Sequence, residues 1–196
     1  YSLVDNPISG NFVFLENFKN IIANAAFQKA VRNTFLFAAV AVPLAVVLSL
    51  LLAIVLEAKL PFRSQFRTFF LSPMMVPVAS IVLIWQVLFH YNGAVNDILG
   101  VFGIDKIDWL KSDYGLIVIV ILFLWKNLGY NIILFMAALA SIPKDIMEVA
   151  TLESAKPLQT FFYIKIRYLS STLLFVTIMS LINSFKIFRE VYLLTG

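Results

Sequence analysis

The chain has 196 residues, of which 61% are hydrophobic and 13% charged, with a formal net charge of +4. Soluble domains carry roughly 25% charged residues, so this composition excludes a water-soluble globular enzyme and points to an integral membrane protein. The absence of cysteine and the single histidine, His90, exclude a disulfide framework, thiol chemistry and a histidine-built metal site, and no basic cluster suggests nucleic acid.

Residues 1–32 form a mixed stretch rich in Asn and Phe, without an apolar span. The chain begins at Tyr1 and stops at Gly196 without a polar tail, and it reads as the middle of a longer protein. A bilayer core needs about 20 apolar residues at ~1.5 Å rise each. Four stretches meet that length: Asn33 to Leu56, Thr68 to His90, Gly115 to Leu139 and Tyr168 to Phe185. Each is expected to be one transmembrane helix. None has the short N-terminal form of a signal peptide. Pro43, Pro73 and Pro77 lie in or at the edge of spans, where neighbouring helices satisfy the freed carbonyls. The fold class is therefore an all-α polytopic bundle with four spans.

Lys and Arg in short loops set the orientation. The loop after the first span carries Lys59, Arg63 and Arg67, and the loop after the third carries Lys144, Lys156, Lys165 and Arg167. The loop after the second carries Lys106 and Lys111 among Asp97, Asp105, Asp108 and Asp113. The first and third loops are thus cytoplasmic, and residues 1–32 form an outer-side segment ahead of a membrane domain at 33–196.

Lys126 lies inside the third span, where a bare charge costs roughly 2.5–3.5 kcal/mol on insertion scales. No span contains an acidic residue, so its counter-charge is expected from water, carbonyls or a partner subunit. Lys186, beside the end of the fourth span, can snorkel. Asn127, Tyr130 and Asn131 share one face of the third span, as Ser180, Asn183 and Ser184 do on the fourth. Such faces suit a hydroxyl-rich solute, with Tyr130 available to stack on a sugar ring. They equally suit hydrogen bonds between helices, at about 0.6–2 kcal/mol each.

The cytoplasmic stretch 142–169, IPKDIMEVATLESAKPLQTFFYIKIRYL, is polar but helical in pattern. Pro143 suits a first helical turn, Asp145 and Glu148 suit the positive end of the helix dipole, and Ile146, Val149, Ala150 and Glu153 fall on one face. Pro157 then breaks the helix or starts a second one. The expectation is a short helix, a turn and a second helix lying across the cytoplasmic face. The loop either rests at the interface with nothing docked or receives a soluble partner.

The same residues resemble the EAA loop of ATP-binding-cassette importer permeases. The family pattern is Glu-Ala-Ala, three residues, Gly, then about nine residues to Ile-x-Leu-Pro. Glu148 and Ala150 match, Val149 replaces the middle Ala, Ser154 stands at the Gly and is followed by Ala155, and Ile164 falls at the Ile, with Ile166-Arg167 replacing Leu-Pro. Collinear stretches extend the likeness from about Phe12 to Gly196. Phe66–Pro73 resembles FRTLFFLP; Ile84-Trp85, Leu88-Phe89 and Gly93–Asn96 resemble IWxxLF…GxxN; Trp109-Leu110 resembles an outer-loop WL pair. Trp125-Lys126, Gly129 and Asn131 resemble WKGLGFN, and Ser184–Lys186 with Val191–Thr195 resembles SFKxFxxVYxLTGGGP. The features are most similar to the carbohydrate-uptake branch, and within it to the larger maltose-permease type of subunit.

That resemblance implies a type I importer bundle of six core spans, of which this chain holds the second to fifth. It implies a second permease subunit, two cytoplasmic ATPase subunits and an extracytoplasmic solute-binding protein, in a bacterial or archaeal inner membrane. ATP and Mg²⁺ would be used by the ATPase, with no cofactor bound here directly. Glu148, Val149, Ala150, Glu153, Ser154 and Ala155 would form the coupling loop to the ATPase. The substrate path would run past Lys126, Asn127, Tyr130, Asn131, Ser180, Asn183 and Ser184, toward a sugar or related polyol. An ion-coupled transporter or channel, and a membrane scaffold that moves no solute, are the alternatives. The spans lack the carboxylate that an ion-coupled path usually carries, and the chain shows no nucleophile–base pair, paired carboxylates or phosphate-cradling loop, so it reads as a transport subunit and not as an enzyme.

Overall fold

The computed structural model describes residues 12–57, 63–112 and 114–195, with all their side chains except those of Arg63, Ser64, Arg67, Met74 and Thr195. Lys59 and Asp113, used above for orientation, lie outside the described residues, as do the side chains of Arg63 and Arg67. The chain divides into two compact units, Tyr1–Ala39 and Val40–Gly196.

In the first unit, a short amphipathic helix α1 (Glu16–Ala23) is followed by Asn24. The Asn24 Oδ1 accepts the N–H groups of Ala26 and Phe27 at 2.8 and 3.3 Å. That bond pair serves two amides with no partner inside the helix. Helix α2 therefore starts at Ala25, ahead of the expected Asn33, and runs to Glu57. Its 33 residues give about 50 Å of helix against a hydrocarbon core of ~30 Å.

Among its described residues, the second unit holds the C-terminal part of α2 and eight further helices, with a π-helical turn among them. Helix α3 (Arg63–Met75) and helix α4 (Val78–Leu88) replace the single span expected from Thr68 to His90. The break falls at Val76-Pro77. Pro77 has no N–H to continue α3 and disfavours helical backbone at the residue before it; at φ −58° and ψ 136° it begins α4 instead. Pro73, by contrast, is kept inside α3. Its ring removes the N–H that would bond the Phe69 carbonyl, and the Ser72 hydroxyl donates to that carbonyl at 2.8 Å.

Helix α5 (Ala94–Val101) lies in the loop between α4 and α6. Asn96, 1% exposed, fixes this loop. Its amide donates to the carbonyls of Tyr91 and Ile107, and its oxygen accepts Ile107 N–H and Trp109 Nε1–H, all within 3.1 Å. A fully satisfied buried amide of this kind specifies one loop conformation. Phe89 packs between Trp85 and Trp109, with ring centroids 5.2 and 5.8 Å away.

Helix α6 (Gly115–Ala140) matches its expected span almost to the residue. Helix α7 (Lys144–Leu152) follows, then α8 (Pro157–Gln159), a π-helical turn at Thr160–Lys165, and α9 (Ile166–Phe185). From Pro157 to Phe185 the helix is continuous. The second helix expected across the cytoplasmic face is thus no separate element: it is the first turns of the fourth span. A last helix, α10 (Phe188–Thr195), packs on α4. Gln86 Nε2 donates to the Leu193 carbonyl at 2.7 Å, serving a helix end that has no internal partner.

Among the described residues, three helical stretches are long and apolar enough to cross a membrane: Ala25–Glu57, Gly115–Ala140 and Pro157–Phe185. Among the described residues of the second unit, two apolar clusters stand out. One joins Leu50, Ala53 and Leu56 of α2 to Ile132, Phe135, Met136 and Leu139 of α6 and to Leu169 and Val176 of α9. The other joins Ile81 and Val82 of α4 to Val118 and Leu122 of α6 and to Leu194 of α10. Between them, α3 crosses α6 at Gly129, where a methyl group would fall 1.9 Å from the Phe70 carbonyl oxygen. Only glycine allows that approach, as is common where membrane helices cross closely.

Candidate functional site

Two places in the second unit gather polar chemistry: a cavity beside α10, and the α7 region at the opposite end of α6. The cavity, of about 390 Å³, is lined by residues of α6 (Lys126, Asn127, Tyr130), of α9 (Asn183), and of the α9–α10 join and α10 (Lys186, Glu190). These elements meet because α6 and α9 carry complementary amides. Asn183 Nδ2 donates to Asn127 Oδ1 at 3.0 Å, and Asn127 Nδ2 donates to its own helix at the Phe123 carbonyl, 2.8 Å away. One turn further along, Asn131 Nδ2 donates to Ser180 Oγ at 3.2 Å.

The site residues expected from the sequence therefore divide. Lys126, Asn127, Tyr130 and Asn183 line the cavity. Asn131, Ser180 and Ser184 do not: they are at most 2% exposed, and the Ser184 hydroxyl donates to the Leu181 carbonyl at 2.7 Å. Asn131 and Ser180 thus join α6 to α9, while Ser184 bonds within its own helix.

The expectation for Lys126 fails in one respect. Its ammonium does find a carboxylate in this chain, pairing with Glu190 of α10. Glu190 is 9% exposed, and its partner is open to the cavity. The carboxylate was missed because it lies beyond the end of the fourth span, on a short helix with no span of its own. The signal was nonetheless present: an acidic partner is one way to offset a lysine inside an apolar span, and Glu190 is the first acidic residue after the polar face of α9.

The α7 region is built from local rules. Pro143 precedes the helix as its N-cap, and Asp145 lies in the first turn, where the helix dipole favours an anion. At the far end Ser154 adopts φ 57°. Its N–H donates to the Thr151 carbonyl, and the Ala155 N–H donates to the Ala150 carbonyl, both at 3.0 Å. This is the Schellman arrangement, which needs a left-handed residue at the position of Ser154 and favours glycine there. The glycine of the EAA pattern, replaced here by serine, thus has a backbone reason.

The expected apolar stripe of α7 is not uniform. Ala150 is buried and Met147 packs on the first apolar cluster, together with Ile142 just before the helix. Val149 and Leu152 stay exposed, at 52% and 84%. Two concavities flank the helix. Asp145, Ile146, Val149, Ala150, Glu153 and Ser154 line one, while Met147, Glu148 and Leu152 line the other with Lys144, Lys165 and Glu57. Lys165, at the end of the π-helical turn, donates to Glu57 at 3.1 Å, tying the end of α2 to the start of α9. Among the described residues no group of three or more His, Cys, Asp or Glu side chains is placed to hold a metal.

The model of one family, described as the binding-protein-dependent transport system inner membrane component, matches residues 45–196. The chain belongs to this family. AraP, the arabinooligosaccharides transport system permease protein of Halalkalibacterium halodurans, is 31% identical over 189 residues, covering 94% of this chain and 59% of its own. MalF, the trehalose/maltose transport system permease protein of Thermococcus litoralis, is 29% identical over 187 residues, covering 94% and 63%. The chain therefore spans about three fifths of the length of these curated relatives. The crystal structure of a bacterial ABC transporter involved in the import of the acidic polysaccharide alginate contains a chain that superposes with a TM-score of 0.86. It is 18% identical, over 97% of this chain and 67% of that one. The inner-membrane component is thus a multi-pass, all-α chain with the importer-permease fold.

Proposed function

We propose that this chain is part of the permease subunit of an ATP-driven importer that receives a sugar or related polyol from a solute-binding protein. The observation that carries the reading is the construction of residues 142–169. A short, defined helix with exposed Val149, Leu152 and Glu148 is joined through the π-helical turn to a span that runs on to the polar cavity. Such a helix can take a push from a soluble partner and pass it to α9 as a lever, the two-state logic of gated membrane proteins. The family description, with its binding protein and inner membrane, and the names of the relatives support the same reading.

In this scheme Glu148, Val149, Ala150, Glu153, Ser154 and Ala155 form the contact region for a cytoplasmic ATPase subunit. Two such subunits bind and use ATP and Mg²⁺, a second permease subunit completes the translocation path, and the assembly lies in a bacterial or archaeal inner membrane. The chain carries no bond chemistry. Asn127, Asn183 and Tyr130 offer hydroxyl-rich solutes both donors and acceptors and an aromatic face. Uptake into membrane vesicles tests the proposal. Accumulation of the solute is expected to need ATP, the full-length permease, its partner permease, both ATPases and the binding protein. Uptake that persists without ATPases and collapses with an ion gradient would refute it.

A further inference from the structure

The cavity carries an arrangement that a site built for anions would lack. Two ammonium groups, Lys126 and Lys186, line it. One of them is taken by Glu190, the one carboxylate in the lining and the less exposed partner of the pair, at 11% of its side chain against 34%. An anionic solute that claimed Lys126 would leave Glu190 buried without a partner, and an unpaired charge of that kind is costly. Before that, it would meet the repulsion of the carboxylate itself. Lys186 is exposed and is screened by water. A neutral polyhydroxy solute meets neither obstacle, because Asn127, Asn183 and Tyr130 accept it without disturbing the pair.

We infer that Glu190 is a specificity-determining residue, which neutralises Lys126 and so excludes anionic sugars from the cavity while admitting neutral ones. Rejection by a repulsive or unpaired charge is an established route to discrimination. The inference rests on the importer reading only in taking this cavity as the place where solute binds.

The test compares two probes that share a ring and differ in one carboxylate, D-galactose and D-galacturonate. Binding to the full-length permease, assembled with its partner subunits in lipid nanodiscs, is followed by saturation-transfer-difference NMR. The E190Q variant is expected to raise the affinity ratio of galacturonate to galactose about ten- to hundredfold, the range of one charge-assisted hydrogen bond. The K126Q/E190Q variant, which removes both charges, should return the ratio to within about tenfold of wild type, and the swapped K126E/E190K variant should keep it low. A ratio unchanged in E190Q overturns the inference. So does a ratio raised as much in the swapped variant, because pairing would then not be the cause. Failure of the importer reading would appear separately, as uptake independent of the ATPases, and would leave the shift in ratio to stand or fall by itself.

Discussion

Helices α6 and α9 meet in two ways along their length, and the contrast explains what each half is suited to do. Toward α7, Ile132, Phe135, Met136 and Leu139 share an apolar cluster with Leu169 and Val176. Toward α10, the same helices meet through Asn127–Asn183 and Asn131–Ser180, and Lys126 reaches across to Glu190. Apolar contact between membrane helices gains little over contact with lipid, so the first half depends on shape and close packing. Such packing makes a body that moves as one piece. The second half depends on a few directed bonds, which other hydroxyls and amides can replace. Under the proposed function, the first half would transmit motion and the second would hold solute.

The largest expected effect comes from the crossing between the halves. Gly129→Leu places a branched side chain against the backbone at Phe70, where even a methyl group has no room. The variant is expected to lose its folded population in detergent, seen as loss of a monodisperse gel-filtration peak. A folded Gly129→Leu protein would remove the close crossing from the account. A smaller effect is expected from Asn183→Ala, which removes one bond between α6 and α9. Its cost should be about 0.6–2 kcal/mol, read as a lower unfolding midpoint in a mixed-micelle titration. Asn127→Ala should cost about the same, and the double variant should cost less than the sum of the two, because the residues share that bond. Strict additivity would place the two amides out of contact. The smallest effect carries the opposite sign. Ser154→Gly relieves a left-handed residue, and stabilisation of about 1 kcal/mol is expected from the cost of αL backbone in residues with a Cβ. A loss of stability would contradict the Schellman geometry at the end of α7.

The long elements were legible because apolar length is a direct signal. The span from Gly115 to Leu139 was found almost to its ends, and the polar faces of α6 and α9 were found by helical spacing. Other features were set by groups that a composition window does not weigh. Asn24 caps α2 at Ala25, so the helix runs on through Lys29 and Arg32, which a window of uncharged residues leaves out. Val76-Pro77 divides an apolar run that reads as one span, because proline acts through the backbone and not through hydropathy. Helix α10 is short and mixed, so it left no apolar signature, and with it Glu190 went unseen as the partner of Lys126. The serine at position 154 was noticed as a departure from a pattern; only its φ angle gives the departure a physical meaning.

The central claim is that α7 couples a soluble motor to the spans, and Glu148→Lys tests it most directly. Glu148 is exposed on α7, so reversing its charge should leave the fold and the polar cavity intact. ATP-dependent uptake into vesicles is expected to fall by at least about tenfold, the effect of losing a ~1.4 kcal/mol contact, with solute binding to the permease unchanged. Uptake that stays at the wild-type rate would contradict the coupling role of α7.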